Sequence, residues 1–278
     1  MLNVKNVLTI AGSDSCGGAG IQADLKTFSA NGVYGMSVIT AITAQNTMGV
    51  FKVQDIDEEI IGAQIDAIFE DINVDAVKIG MVSKISTINI ISEKLKKYKP
   101  KNLVLDPVMI SKSGYSLLKP ESKSALIKEL IPLAYVITPN LPEALEIISE
   151  VNSEKVEIKT VEDMELAAKE IYKLGCKNVF LKGGHMEGDK AVDILYDGEN
   201  IYKFYAEKIN TKNTHGTGCT ISSAIASNLA LGFSIEEAIK RSKDYITTAI
   251  IHSLDIGHGV GPTNHFYELY KKAGLINE

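Results

Sequence analysis

The sequence predicts a mainly parallel β-sheet covered by helices on both faces, and three observations lead there. Short, β-branched apolar runs alternate with longer amphipathic segments through most of the 278 residues. The short runs are apolar on both faces, as strands lying between two helical layers must be. One pair of runs breaks the alternation: 192–196 and 201–205 flank Asp197-Gly198-Glu199-Asn200, and that Asp-Gly turn predicts an antiparallel hairpin at a sheet edge.

In chain order, strands are expected at 6–11, 36–43, 76–79, 102–105, 135–138 and 178–181. Helical periodicity falls between them at 21–30, 58–72, 87–98, 122–130, 142–148 and 161–174, then at 221–231, 235–252 and 263–272. Local punctuation supports several of these limits. Thr160 with Asp163, and Ser234 with Glu237, have capping-box spacing, and Gly175 is a natural helix stop. Lys94 to Lys101 is lysine-rich, as a solvated helix end would be. No linker, repeat or low-complexity tract interrupts the pattern, so a single domain spanning 1–278 is expected.

Composition narrows the function classes. Hydrophobic residues make up 45%, enough for a full core, and the net charge of -6 disfavours nucleic acid or an anionic membrane as the main partner. The strand pattern begins almost at residue 4 and no apolar run is long enough to span a bilayer, so neither a signal peptide nor a membrane anchor is expected. Cys16, Cys176 and Cys219 lie far apart without CxxC or Cys/His ligand spacing, which points to a reducing, cytoplasmic setting without structural zinc. His185, His215, His258 and His265 likewise lack metal-ligand spacing.

The chemistry concentrates at predicted strand ends, where parallel sheets bind ligands. The richest stretch is Asn213-Thr214-His215-Gly216-Thr217-Gly218-Cys219-Thr220, directly before a helical pattern. Its glycines permit a tight turn, and the helix start offers unpaired N–H groups for phosphate oxygens. A thiol there is expected to have a lowered pKa, because the same field favours the thiolate. An anion seat beside a potential base suggests phosphoryl transfer to an alcohol.

Other strand ends add candidates, each with a structural alternative. The segment from Gly12 through Asp14 and Ala19 to Gly20 is neither a Walker loop nor GxGxxG, and reads as a ligand loop somewhat more readily than as a purely structural tight turn. Gln45-Asn46 follows the second strand, and a carboxamide can read a heterocycle edge or bond the backbone. Asp106 and Glu143 could flank magnesium, while Asn140 and Glu143 equally fit helix capping. Lys182-Gly183-Gly184 could set one ammonium against a phosphate or leave it on the surface.

Taken together, these motifs resemble the hydroxymethylpyrimidine/phosphomethylpyrimidine kinases within the ribokinase-like superfamily. The similarity runs nearly end to end, through Leu8 to Asp14, Gly17 to Phe28, Thr40 to Thr47, Lys78 to Met81, Leu105 to Met109, Thr138 to Ala144, Lys182 to His185 and Asn213 to Cys219. The resemblance implies a three-layer α/β/α fold with an edge hairpin, and ATP-dependent phosphorylation of a hydroxymethylpyrimidine and then of its monophosphate, in thiamine biosynthesis. It implies Cys219 as catalytic base and Gly216, Thr217 and Gly218 as anion hole. Gly12, Asp14, Ala19, Gln45, Met81 and Val108 then belong to the substrate site, and Asn140, Lys182 and Thr214 to the ATP side. Asp106 and Glu143 are the implied Mg2+-associated acids, with a monovalent cation left open and a homodimer as the implied assembly. Two departures are Cys16, where relatives usually carry serine, and an apparently long segment at 149–159. The rival readings are a pyridoxal or pyridoxine kinase of the same superfamily and a non-catalytic pyrimidine-binding sensor.

Overall fold

The computed structural model describes residues 4–110, 117–151, 157–184 and 190–276. Among them one sheet contains β1 (Asn6–Asp14), β2 (Tyr34–Asn46), β3 (Gly49–Asp55), β4 (Ala76–Ile79), β5 (Leu103–Leu105), β6 (Val136–Ile137), β7 (Val179–Leu181), β8 (Lys190–Tyr196) and β9 (Ile201–Glu207). The spatial order is β3-β2-β1-β4-β5-β6-β7-β8-β9. The strands from β2 through β1 to β7 run parallel, and antiparallel strands finish both edges.

The helices are α1 (Gly20–Ala30), α2 (Glu58–Phe69), α3 (Ile85–Tyr98), α4 (Lys123–Glu129), α5 (Leu141–Val151), α6 (Val161–Tyr172), α7 (Thr217–Ala230), α8 (Ile235–Ile251) and α9 (Tyr267–Lys272). Successive strand residues point to opposite faces, and the core divides accordingly. Leu8, Val77, Leu103 and Leu105 pack with α2 to α6, whereas Val7, Ala76, Val104 and Val136 pack with α1, α7 and α8. The result is the expected three-layer sandwich.

Helix α7 is central to the second layer and is buried without a break from Thr220 to Ala230. Its Ser and Ala residues let neighbouring helices approach closely, and its hydroxyls return to carbonyls one turn back, as in Ser227 to Ser223 at 2.9 Å. Thr160 and Asp163 form the full reciprocal capping box of α6. Ser234 accepts from the Glu237 N–H at 3.3 Å, and Gly175 takes a left-handed φ of 105° just past α6.

Three local expectations need correction. β2 continues through Gln45 and Asn46, which pair with Val50 and Gly49 of β3 rather than following the strand. β3 itself escaped the pattern because its side chains are exposed or half-exposed throughout, leaving no apolar alternation to detect. The final helix starts at Tyr267, since Thr263, Asn264 and His265 are buried in the loop before it. His185 and part of the 149–159 segment lie outside the described residues.

The sheet order reverses at β1: the chain passes from β1 outward to β2 and β3, then crosses to β4 on the other side. Such a switch opens a crevice at the carboxyl ends of the strands. The crevice here lies between the β1–α1 loop and the end of β4.

Candidate active site

Above this switch point lies a cavity of about 860 Å³, and its wall contains every residue singled out above for catalysis, substrate, nucleotide or metal. The fold brings them together from six strand ends and the start of α7.

The expected anion seat is built by backbone contact. Gly216 caps α7 at φ 77°, and a Cβ on it would lie 1.7 Å from the Gly18 carbonyl oxygen. The two glycine-rich segments therefore touch at a point where no side chain fits. Thr217, Gly218 and Cys219 of the first turn of α7 line the cavity, and the first amides of a helix have no acceptor within it. Gly218 faces a charged pair: a Cβ there would lie 3.6 Å from Lys182 Nζ and 3.7 Å from Asp106 Oδ2.

Asp14 holds the β1–α1 loop. Its Oδ1 accepts from Cys16 N at 2.9 Å, and its Oδ2 from Gly18 N at 3.1 Å and Ala19 N at 2.8 Å. His215 Nε2 is 2.9 Å from the same Oδ2. Burial would raise the Asp14 carboxyl, but His215 and the backbone donors outweigh it and keep its pKa below the ordinary value. Asp14 thus lines the cavity while its carboxylate is spent on the loop. Asp14, Cys16 and His215 do offer ligand atoms within 4.8 Å of one another, a grouping that spacing in sequence did not reveal. The oxygens of Asp14 already serve three amides and the imidazole, so the trio functions as a clasp.

Gln45 stands beside this clasp, its Nε2 3.3 Å from His215 Nε2 and its Oε1 3.2 Å from Thr43 Oγ1. Because His215 Nε2 donates to Asp14, two donors cannot usefully face each other there. Turning the carboxamide sets Oε1 towards His215 and Nε2 towards Thr43, whose own proton goes to Ser13 O at 2.9 Å. Gln45 lines the cavity and keeps one donor and one acceptor beyond these two contacts.

Lys182 Nζ is 3.1 Å from Asp106 Oδ1, with Thr138 Oγ1 at 3.2 Å from the same oxygen. Burial would lower the Lys182 ammonium, but Asp106 and Glu143 reverse that and hold it above its ordinary pKa. Asn140 and Glu143 form a reciprocal cap on α5, with Glu143 Oε2 accepting from Asn140 N at 2.8 Å and Asn140 Oδ1 from Glu143 N at 2.9 Å. Burial, with repulsion from Asp106 against attraction by Lys182, pushes the Glu143 carboxyl up to about 7. A divalent cation between Asp106 and Glu143 would let both ionise, so these residues fit a magnesium site.

The raised carboxyl has a measurable consequence. An acid whose folded pKa is elevated loses stability as pH rises from its unfolded value of about 4.3 towards 7, and that loss is complete above 7. Glu143→Gln should therefore stabilise the metal-free protein at pH 8 by on the order of 1–3 kcal/mol, seen as a higher melting temperature, and hardly change it at pH 4. Equal melting of variant and parent at pH 8 would show that the Glu143 carboxyl is not raised.

Cys219 departs from expectation. Its thiol is pushed up to about 11, chiefly because burial disfavours the thiolate; Lys78 and the Gly20 N–H act the other way, and Asp24 and Asp106 reinforce the rise. The helix-start field is present, but desolvation exceeds it.

Two sets of residues were missed. Lys243, Ile246, Thr247 and Ile250 share one face of α8 and line the cavity with Ala206 and Ile209, forming a largely apolar slot suited to a flat ring. Their spacing is indistinguishable from an ordinary core face. The other is Lys78, fully buried in β4 and paired with Asp24 of α1 at 2.9 Å; a lysine inside an apolar strand was the available signal. The chain's single arginine, Arg241, is committed elsewhere, bonded to Asn228 Oδ1 at 3.0 Å and stacked on Phe233. Lysines therefore supply the positive charge at the cavity.

Comparison with known proteins agrees with this geometry. A family model described as Phosphomethylpyrimidine kinase matches residues 14–264. A hydroxymethylpyrimidine/phosphomethylpyrimidine kinase of Rhizobium meliloti (strain 1021) is 50% identical over 267 residues, covering 95% of this chain and 98% of that protein. The crystal structure of phosphomethylpyrimidine kinase from Clostridium difficile 630 is 59% identical, with a TM-score of 0.78 over 88% of this chain and 99% of that one. An ADP complex of Bacillus subtilis pyridoxal kinase is 44% identical, with a TM-score of 0.87 over 96% and 99% of the two chains. Both structures match the ribokinase-like layering. With a family match across most of its length and the family's motifs gathered on one cavity, the chain belongs to the phosphomethylpyrimidine kinase family.

Proposed function

We propose that the chain transfers a phosphoryl group from ATP to the hydroxymethyl group of 4-amino-5-hydroxymethyl-2-methylpyrimidine, and then a second to the monophosphate, as part of thiamine biosynthesis. The observation that carries this reading is the convergence of the α7 anion seat, Cys219, Lys182 with Asp106, and Gln45 on one cavity.

Phosphoryl transfer depends mainly on positioning and on stabilising charge. Amides from Gly216 to Cys219 hold the oxygens of the transferred group, and Lys182 offsets their charge. Cys219 takes the proton of the attacking alcohol. The donor and acceptor of Gln45 match a ring nitrogen beside an exocyclic amine, and Gly12, Ala19, Met81 and Val108 form the ring's walls. Asn140 and Thr214 belong to the nucleotide side, with the apolar face of α8 receiving the base. Asp106 and Glu143 would hold magnesium, which offsets charge on the phosphate oxygens when bound.

A pyridoxal kinase is the second reading, favoured by the similarity to the Bacillus subtilis enzyme. An assay with both alcohols and ATP-Mg, following mono- and diphosphate separately, decides between them. Pyrimidine diphosphate should accumulate, and kcat/KM should favour the pyrimidine. A strong pyridoxal preference would reverse the assignment, and ATP turnover with neither alcohol would leave only a binding role.

We also propose a cytoplasmic homodimer. Ile42, Met48 and Phe51 expose 50%, 64% and 64% of their surface on the adjoining strands and turn of β2 and β3, an apolar group that a second copy would cover. Light scattering should give twice the chain mass. A monomer at micromolar concentration would reject the dimer.

A further inference from the structure

Beneath the anion seat lies a charged cluster that the proposed chemistry does not use. Lys78 and Asp24 are both fully buried. Lys78 Nζ lies 3.0 and 2.9 Å from the two Asp24 oxygens, which also accept from Thr9 Oγ1 at 2.6 Å and Ser223 Oγ at 2.7 Å. Two placements tie the cluster to the site. A Cβ on Gly80 would stand 2.7 Å from Lys78 Nζ, so the ammonium has climbed along β4 to the ligand-binding edge. Ser223 follows Cys219 by four residues on α7, and such residues share one helix face. The cluster thus underlies the turn of α7 that carries the thiol.

A buried ion pair is a poor device for stability, since desolving two charges offsets most of their attraction. Its place under the Cys219 thiol calls for another account. We propose that Lys78 is a positioning residue for catalysis: its buried ammonium stabilises the Cys219 thiolate, and Asp24 limits how much of that charge the sulfur feels.

The charge environment of Cys219 agrees. Lys78 on β4 favours the thiolate, as does the Gly20 N–H at the start of α1. Asp24 on α1 and Asp106 after β5 oppose it. Lys182 after β7 is also coupled to the sulfur. Among the described residues no hydrogen bond or ion pair joins Cys219 to Asp106 or Glu143. Lys78 is thus the fully buried cation among these groups. Attraction from Asp24, Cys219 and Asp106 overrides burial and keeps it charged.

This inference rests on Cys219 acting as base, but its test needs no turnover. Iodoacetamide labelling of Cys219 is followed by mass spectrometry at pH 9, in a Cys16→Ser background, on variants that circular dichroism shows to be folded. Lys78→Met should slow labelling about tenfold or more, the equivalent of one pKa unit. Lys78→Arg should restore it to within about threefold, since the charge is kept. Asp24→Asn should accelerate it, because the competing anion is gone. Opposite effects at the two partners of one ion pair are what a structural role would not produce. Labelling of Lys78→Met at the parent rate, or slowing by Asp24→Asn, overturns the proposal. If Lys78→Met does not fold, the direction of the Asp24→Asn effect decides alone. Absent kinase activity with this labelling pattern intact would instead reject the functional reading.

Discussion

Cys219→Ala is expected to reduce turnover by about 10²–10⁴-fold while leaving the pyrimidine alcohol bound, because a general base acts in the transition state and not in substrate capture. The anion seat, Lys182 and the substrate walls all remain in the variant, so KM should change little. The pH profile adds a second check. With the thiol pushed up to about 11, the free protein carries few thiolates near neutrality, and their number rises tenfold per pH unit below that value. The kcat/KM of the parent should climb with pH across the neutral range, and the residual rate of the alanine variant should lose that slope. Full turnover in the variant, or an unchanged slope, would remove Cys219 from the base role.

Gly216→Ala should be the most damaging glycine-to-alanine change among the described residues. The residue sits at φ 77°, which costs an L side chain about 1–2 kcal/mol. The larger effect is overlap, since the new Cβ would be 1.7 Å from the Gly18 carbonyl oxygen. Backbone must move on one side or the other, and either movement displaces the amides proposed to hold the phosphoryl oxygens. Loss or misplacement of one such donor typically lowers kcat by about 10²–10³-fold. Pyrimidine affinity should also fall, because Gly18 belongs to the loop that Asp14 holds. The variant is compared by kcat and by substrate titration; near-normal kcat would mean that these amides do not hold the transferred group.

The fold was legible wherever burial leaves a pattern. β1, β4, β5 and β7 read as apolar runs because both their faces are covered, and the β8–β9 hairpin declared itself through Asp197-Gly198. β3 was silent because a strand with neither face buried carries no hydrophobic period. At the site, residue types at strand ends identified the cavity wall well, since topology alone brings such ends together. What sequence withheld was environment. It places Cys219 at a helix start but says nothing of the burial that reverses its pKa. It shows Lys78 inside a strand but not that Asp24, 54 residues away, neutralises it. The two roles weighed for Glu143, capping and metal association, are compatible, because one oxygen of Glu143 takes the amide while its raised pKa reports an uncompensated charge.

The clasp between Asp14 and His215 joins residues 201 positions apart, and the Asp24–Ser223 bond spans 199. Contacts of such long range form late in folding, after nearer strands have paired. The reactive centre should therefore be the last part of the molecule to mature. In refolding experiments secondary structure should return well before protection of Cys219 from alkylation, so that this thiol records completion of the chain from one end to the other.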